Sequence, residues 1–174
     1  MRNTKKITVS SILVALGAVV MAIGSLFEVL DLSVCVLASL IVVFIYIEIG
    51  SPYTWLVWLC TSLVTFLVFP GKPIWLNYFI LFGIYPILKA YIEKLPRPLW
   101  LPIKLVYINC VIWIMFFLME VIFLTPLFEA EYFWLRAVLY AFANVAFVAY
   151  DMFLAVAARI YFGKFRQKFL RFLR

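Results

Sequence analysis

The sequence predicts an all-α integral membrane protein, a six-helix transmembrane bundle whose N and C termini both lie in the cytoplasm. Three observations support this fold class. Hydrophobic residues make up 68% of the 174 residues, and charged residues only 13%. The mean hydropathy of +1.15 is far above that of an ordinary globular domain. The apolar residues also fall into runs long enough to cross a bilayer, which takes about 20 residues.

Six apolar segments are candidates for membrane spans. We expect the first to be a span and not a cleaved signal peptide, because it extends to Leu30 and further apolar segments follow it. The breaks between segments are short and carry turn-forming residues, which predicts one compact bundle over residues 1–161. The predicted spans are 7–30, 33–50, 53–70, 74–93, 100–125 and 132–161.

The positive charges predict how the bundle is oriented. The chain has 15 Lys and Arg against 8 Asp and Glu, which gives a net charge of +7. With six spans and both termini inside, only Lys72 and Arg136 face outward, as the positive-inside rule requires of an even number of spans. Nucleic-acid binding is not expected, because the basic residues border apolar spans.

Residues 162–174 form a basic amphipathic cytoplasmic tail in this prediction. Four phenylalanines recur at helical spacing with Lys and Arg between them, a pattern typical of helices that lie on the inner membrane surface. These phenylalanines are Phe162, Phe165, Phe169 and Phe172.

The composition argues against an enzyme, a metal site and a cofactor. The chain has no histidine, which removes Ser-His and Cys-His catalytic pairs and the histidine-based zinc motifs. Its cysteines lie inside apolar segments without the CxxC spacing of zinc or redox sites, so we expect them to be packing residues. They are Cys35, Cys60 and Cys110.

Charged residues inside the spans are costly and therefore informative. Glu48 and Lys89 end the second and fourth spans near the same membrane face, so a pair that fixes helix packing is geometrically possible. Asp151 and Arg159 lie on the sixth span, two turns apart, and each needs a partner from elsewhere. Whether these groups and Glu120 line a cavity or only pack is left open by the sequence.

A small-molecule site, if present, is expected in the outer half of the bundle. Glu120 and Asn144 lie in the middle or upper part of their spans, where a pocket open to the outside would reach. Aromatic rings gather at the same level, although an interfacial aromatic belt is the simpler explanation of these rings. The candidate substrate-binding residues are Glu120, Asn144, Trp75, Tyr78 and Trp134.

The first span carries small residues at alternating spacings of four and three. Small residues let another helix approach closely in lipid, where packing drives association. The neighbour is either a helix of the same bundle or a separate membrane protein. We call these positions the small-residue seam: Ser11, Ala15, Ala18, Ala22 and Ser25.

The chain resembles the S components of energy-coupling factor (ECF) transporters. The resemblance rests on its short length, its six spans with both ends inside, its basic N terminus and the Ala18/Ala22 pair on the first span. The resemblance implies a substrate-binding subunit of an ATP-driven importer in the bacterial plasma membrane, with a small organic nutrient such as a vitamin as its substrate. It also implies that the first helix docks a transmembrane coupling (T) component, which carries two cytoplasmic ATPases. The missing histidine argues against the cobalt and nickel members.

The alternative is a membrane scaffold of the cell envelope, comparable in size and helix number to the cell-shape protein MreD. Such a protein would recruit protein partners through the seam and the basic tail and would bind no ligand. It predicts a bundle packed solid throughout, whereas the transport subunit predicts an outer pocket and an exposed seam.

Overall fold

The computed structural model describes residues 3–26, 30–122 and 133–166, and these residues form helices and short connections without any strand. Six helical segments of this described part are long and apolar enough to cross a membrane, which confirms the predicted all-helical fold. The last eight residues of the predicted tail, 167–174, lie outside the described residues. The spans are α1 (Asn3–Leu26), α2 (Asp31–Glu48), α3 (Ser51–Val68), a fourth span (Ile74–Ile92), α6 (Trp100–Ile122) and α7 (Phe133–Ile160).

The fourth span begins at the predicted residue and ends one residue earlier than predicted, at Ile92, and it is not one continuous α-helix. It consists of α4 (Ile74–Asn77), a π-helical turn (Tyr78–Phe82) and α5 (Tyr85–Ile92). Pro86 near the start of α5 has no N–H group, so the carbonyl four residues earlier, that of Phe82, loses its α-helical donor. A 3₁₀ turn (Arg97–Leu99) precedes α6, and a second π-helical turn (Tyr161–Phe165) follows α7.

Contacts between helix ends show that successive spans run in opposite directions. At the start of α1 and α3, the Lys6 ammonium lies 5.8 Å from the centre of the Tyr53 ring. At the start of α3 and the end of the fourth span, the hydroxyls of Ser51 and Tyr91 are 3.0 Å apart. We call this the basic end of the bundle. At the opposite end, Lys72 donates a hydrogen bond to the main-chain carbonyl of Ser25.

Helices α1, α2 and α3 pack through glycine and small polar residues. A Cβ atom added to Gly24 would lie 2.8 Å from Cβ of Val34 on α2, and one added to Gly17 would lie 3.1 Å from Cγ2 of Thr61 on α3. Buried hydroxyls on α3 bond to carbonyls of their own helix, such as Thr65 to Thr61 at 2.8 Å. This arrangement brings the backbones close and pairs the α3 hydroxyls within their own helix, whereas the buried hydroxyls of Ser10 and Ser25 on α1 have no hydrogen-bond partner among the described residues.

Aromatic residues fill the core between the fourth span, α6 and α7. The Tyr85 ring is fully buried, stacks on Tyr107 with ring centres 5.6 Å apart, and meets the edge of Phe147 at 4.6 Å. Tyr150 packs against Phe82 of the π-helical turn at 5.1 Å. Rings from three spans therefore form one continuous cluster beside the charged residues described next.

Candidate functional site

Four charged residues close a ring that joins α5, α6 and α7 near the basic end. Nζ of Lys104 lies 2.8 Å from Oδ2 of Asp151, and the Lys89 ammonium is ion-paired with Oδ1 of the same carboxylate. Oε1 of Glu93 completes the ring, at 3.1 Å from Nζ of Lys89 and 3.2 Å from Nζ of Lys104. We call these four residues the charge ring.

The Asp151 carboxylate is the hub of the ring. Besides the two ammonium groups, it accepts a hydrogen bond of 2.5 Å from the Tyr85 hydroxyl. Lys89 also donates to the main-chain carbonyl of Asp151 at 2.9 Å. Two positive and two negative charges cancel, and each is hydrogen-bonded, which is the condition for holding such groups inside an apolar bundle. The ring therefore fixes the mutual register of three spans.

Sequence reasoning singled out Lys89 and Asp151 but not their partnership. Lys89 was matched with Glu48 as a possible pair, and the structure shows a different arrangement. Glu48 accepts a hydrogen bond of 3.1 Å from Tyr161 and lies 3.3 Å from Nε of Arg166, beyond the end of α7. Lys89 and Glu48 both lie near the ends of their spans at the basic end, as expected, but they do not pair with each other. Arg159 is exposed on α7.

The π-helical turn forms a second polar feature, in which aromatic side chains from three helices donate hydrogen bonds to carbonyls of the turn. Tyr150 on α7 donates to the Phe82 carbonyl, which Pro86 leaves without its α-helical donor, at 3.1 Å. The other two bonds run from Trp58 Nε1 to the Phe79 carbonyl at 3.0 Å and from the Tyr107 hydroxyl to the Ile80 carbonyl at 2.8 Å. Three carbonyls of the turn are thus each bound by a different span.

Gly83 permits the close approach at this turn. A Cβ atom at that position would lie 2.5 Å from Cδ1 of Trp58 and 2.9 Å from the Tyr78 ring. The sequence signal for the turn was present in the glycine and in Pro86 three residues later. It was missed because the segment is apolar enough to be read as an ordinary span.

The predicted substrate-binding residues occupy different environments. Tyr78 lies in the core with 1% of its surface exposed, whereas Trp134 on α7 is 63% exposed. The Trp75 ring meets the edge of Phe66 at 4.8 Å. Glu120 belongs to α6, but its side chain lies outside the described part of the structure. A shared pocket formed by these residues remains a prediction.

Asn144 is the predicted site residue with the clearest polar environment. Its amide nitrogen lies 3.4 Å from Oδ1 of Asn109 on α6 and donates to the Tyr140 carbonyl at 3.0 Å. Asn109 in turn donates to the Leu105 carbonyl at 2.7 Å. Both amides are half-buried near the middle of the bundle, so they form a polar contact between α6 and α7.

The small-residue seam lies along the border of the face that α1 buries. Ser11 and Ala15 are exposed, Ala18 and Ala22 are half-buried, and Ser25 is buried. The residues that α1 turns into the bundle form a different stripe, Ser10, Gly17, Met21, Gly24 and Ser25. The two sets coincide only at Ser25, at the end of α1 opposite the basic end. Ser11 and Ala15 are therefore left uncovered by the part of the chain that the structure describes.

The described residues contain no group of three or more His, Cys, Asp or Glu side chains placed to hold a metal ion. Comparisons with protein-family models, with curated protein sequences and with solved structures returned no match to this chain. The geometry of the charge ring, the π-helical turn and the seam is consequently the basis for assigning a function.

Proposed function

We propose that this chain is the substrate-binding membrane subunit of an ATP-driven importer for a small organic nutrient, and that it docks a transmembrane coupling subunit through the seam on α1. The observation that carries the proposal is the exposure of Ser11 and Ala15, beside a separate stripe that packs into the bundle. The importer subunit was expected to keep such a surface uncovered.

The physical argument concerns where a membrane helix places its small residues. Small side chains promote association because they let backbones approach, and they gain nothing when they face lipid. Helix α1 already uses Gly17 and Gly24 for close contacts with its own bundle. The seam is a second set of small residues on the same helix, and a helix from another protein is a natural occupant.

Charge supports an orientation that suits this partner. In the described residues, the lysines and arginines of α1, the fourth span, α6 and α7 concentrate at the basic end, and the positive-inside rule assigns that end to the cytoplasm. Ser11 and Ala15 lie in the basic-end half and the middle of α1. A coupling subunit that carries cytoplasmic ATPases would meet this part of the helix.

The substrate site of the proposal remains the set of outer residues, with Asn144 as its best-supported member. Its amide is half-buried among apolar residues, and we expect a polar group of the substrate to replace its 3.4 Å contact with Asn109. Glu120, Trp75, Tyr78 and Trp134 complete the proposed set.

A scaffold protein of the cell envelope is the second candidate, and one observation favours it. The charge ring is closed on itself, with every member paired to another, as expected of charges that only fix packing. In that case the seam would recruit protein partners without any transport.

Purification of the tagged protein from its native membranes in mild detergent tests the proposal. We expect a large helical membrane protein and ATPase subunits to accompany the wild-type protein and to be lost from Ala15→Leu, because the added side chain blocks close helix approach. Ala141→Leu is the matched control, since Ala141 is an exposed alanine on α7. Recovery of the protein alone, or with envelope proteins that Ala15→Leu does not displace, would rule out the importer subunit.

Small molecules retained by the same preparation separate the two candidates further. An importer subunit is expected to release a defined nutrient on denaturation, detected by mass spectrometry, and Asn144→Ala is expected to retain less of it. A scaffold would release none from either form.

A further inference from the structure

Glu93 is the exposed corner of the charge ring. Its side chain is 36% exposed, whereas those of Lys89 and Lys104 are 10% and 12% exposed. A single carboxylate oxygen of Glu93 lies within 3.2 Å of both ammonium groups. The glutamate therefore contacts both lysines, which are largely shielded from solvent, immediately after α5 ends.

The charges of the ring divide into a fixed part and a replaceable part. Asp151 is held by both lysines and by the Tyr85 hydroxyl, and it neutralises one of the two positive charges. The other positive charge is neutralised by Glu93 alone. A phosphodiester also carries one negative charge, shared by two oxygens. Lysine ammonium groups form charge-assisted hydrogen bonds with phosphate oxygens as they do with carboxylate oxygens. A phosphodiester is therefore the electrostatic equivalent of the Glu93 side chain.

The surroundings of this corner match a phospholipid more closely than a free ion. The Lys104 ammonium lies 5.9 Å from the centre of the Trp100 ring at the start of α6, and aromatic residues of this kind mark the level of lipid headgroups. Lys94 and Arg97 are exposed in the adjoining connection and add positive charge. Leu95 and Leu99 are 44% and 46% exposed beside them and offer apolar contacts for acyl chains.

We propose that Lys89 and Lys104 form a binding site for the phosphodiester group of an anionic phospholipid, and that Glu93 fills this site when no lipid is bound. Lipid binding turns the Glu93 side chain out to the aqueous interface, while Asp151 and Tyr85 keep their contacts. Basic pockets between spans at one membrane face are a known type of anionic-lipid site. The inference goes beyond the importer proposal and does not depend on it.

The test is a lipid titration of the detergent-purified protein, followed by native mass spectrometry. Anionic phosphatidylglycerol is compared with phosphatidylcholine, which has the same phosphodiester but also a choline cation. Lys94 and Arg97 repel that cation. We expect Glu93→Gln to bind phosphatidylglycerol about fivefold more tightly than the wild type, the size expected for removing one partly exposed competing ion pair. The effect on phosphatidylcholine is expected to be smaller.

Glu48→Gln is the matched control. Glu48 is the carboxylate that Arg166 and Tyr161 hold at the same end of the bundle, so its replacement changes the net charge equally without opening the ring. We expect it to leave phosphatidylglycerol binding unchanged. Adding Lys104→Gln to Glu93→Gln is expected to cancel the gain, and Glu93→Ala provides a second way of removing the competing carboxylate should Glu93→Gln not fold.

Three results would overturn the proposal. One is equal phosphatidylglycerol affinity in the wild type and both Glu93 variants. Another is the same gain in Glu48→Gln, which would reflect net charge alone. The third is thermal stabilisation of Glu93→Gln by inorganic phosphate as large as that by phosphatidylglycerol, which would indicate a site for a free anion.

Discussion

The first three helices and the last three spans are held together by different chemistry. Helices α1 to α3 interlock through glycine and small polar residues, with Gly24 packed against Val34 so tightly that one added carbon would collide. The fourth span, α6 and α7 are joined by the charge ring and by tyrosine hydroxyls that bind a distorted turn. Steric packing is carried by many weak contacts, whereas the ring depends on a few strong ones.

This difference separates two tasks within one small bundle. The polar groups of the ring are satisfied by one another, so this region gives the bundle a fixed register. Helix α1 packs inward with one stripe and still carries uncovered small residues, including Ser11 and Ala15. We therefore propose that the first region binds a protein partner and that the second holds the bundle together.

Breaking the charge ring at its hub is expected to have the largest effect. Asp151→Ala leaves Lys89 and Lys104 without their main partner, and removing one member of a buried ion pair costs about 3–5 kcal/mol. Thermal unfolding in detergent should show a large loss of stability. Arg159→Ala, at an exposed position on the same helix, should change it little. A small effect of Asp151→Ala would mean that the ring is not what joins these spans.

Overfilling the close contact between α1 and α2 is expected to have an intermediate effect. Gly24→Ala places a methyl group 2.8 Å from Cβ of Val34, an atom with no freedom to rotate away, and overpacking of this kind costs about 1–3 kcal/mol. Gly71→Ala is the control, because an added Cβ there meets nothing within 4 Å. Equal unfolding temperatures for the two variants would contradict the tight packing of the first region.

Removing the α7 hydroxyl that donates to the π-helical turn tests the second region more gently. Tyr150→Phe leaves the Phe82 carbonyl without its donor, and an unsatisfied buried acceptor costs about 1–3 kcal/mol. The loss should shrink when Pro86→Ala restores a backbone N–H at the position that normally serves this carbonyl. A double-mutant cycle of unfolding free energies measures this coupling. Additive effects would show that the tyrosine does not replace the missing donor.

The fold was largely predictable because hydropathy and length decide which segments span a membrane. Predicted and observed bounds differ by only a few residues, as for 53–70 against Ser51–Val68. The break in the fourth span was not predicted, although Gly83 and Pro86 signalled it. A glycine and a proline inside an apolar run are tolerated in membrane helices, so their presence alone does not reveal a distorted turn.

The site was predictable only in part, because sequence periodicity contains no information on which helices face each other. Asp151 and Lys89 could be identified from the sequence because charged residues inside apolar spans are rare. Lys104 and Glu93 were not singled out as members of a site, since both lie near span ends where charges are common. Their assembly into one ring depends on the lateral arrangement of α5, α6 and α7, which the sequence pattern does not specify.

The smallest effect on stability is expected at the seam. Ala15 is exposed, so Ala15→Leu should shift the free energy of unfolding by no more than about 0.5 kcal/mol, as for other surface substitutions. Thermal unfolding of the detergent-purified variant checks this expectation. A clear destabilisation would show that the seam packs within the bundle, contrary to the division of tasks proposed here.

Photocrosslinking in native membranes tests the central claim most directly, that α1 offers its seam to another protein. The photoreactive residue p-benzoylphenylalanine replaces Ala15 in one variant and Ala141 on α7 in the other, both exposed positions. From this claim we expect a discrete crosslinked membrane protein from position 15 and none from position 141. Crosslinks to lipid alone from position 15, or the same protein from both positions, would contradict it.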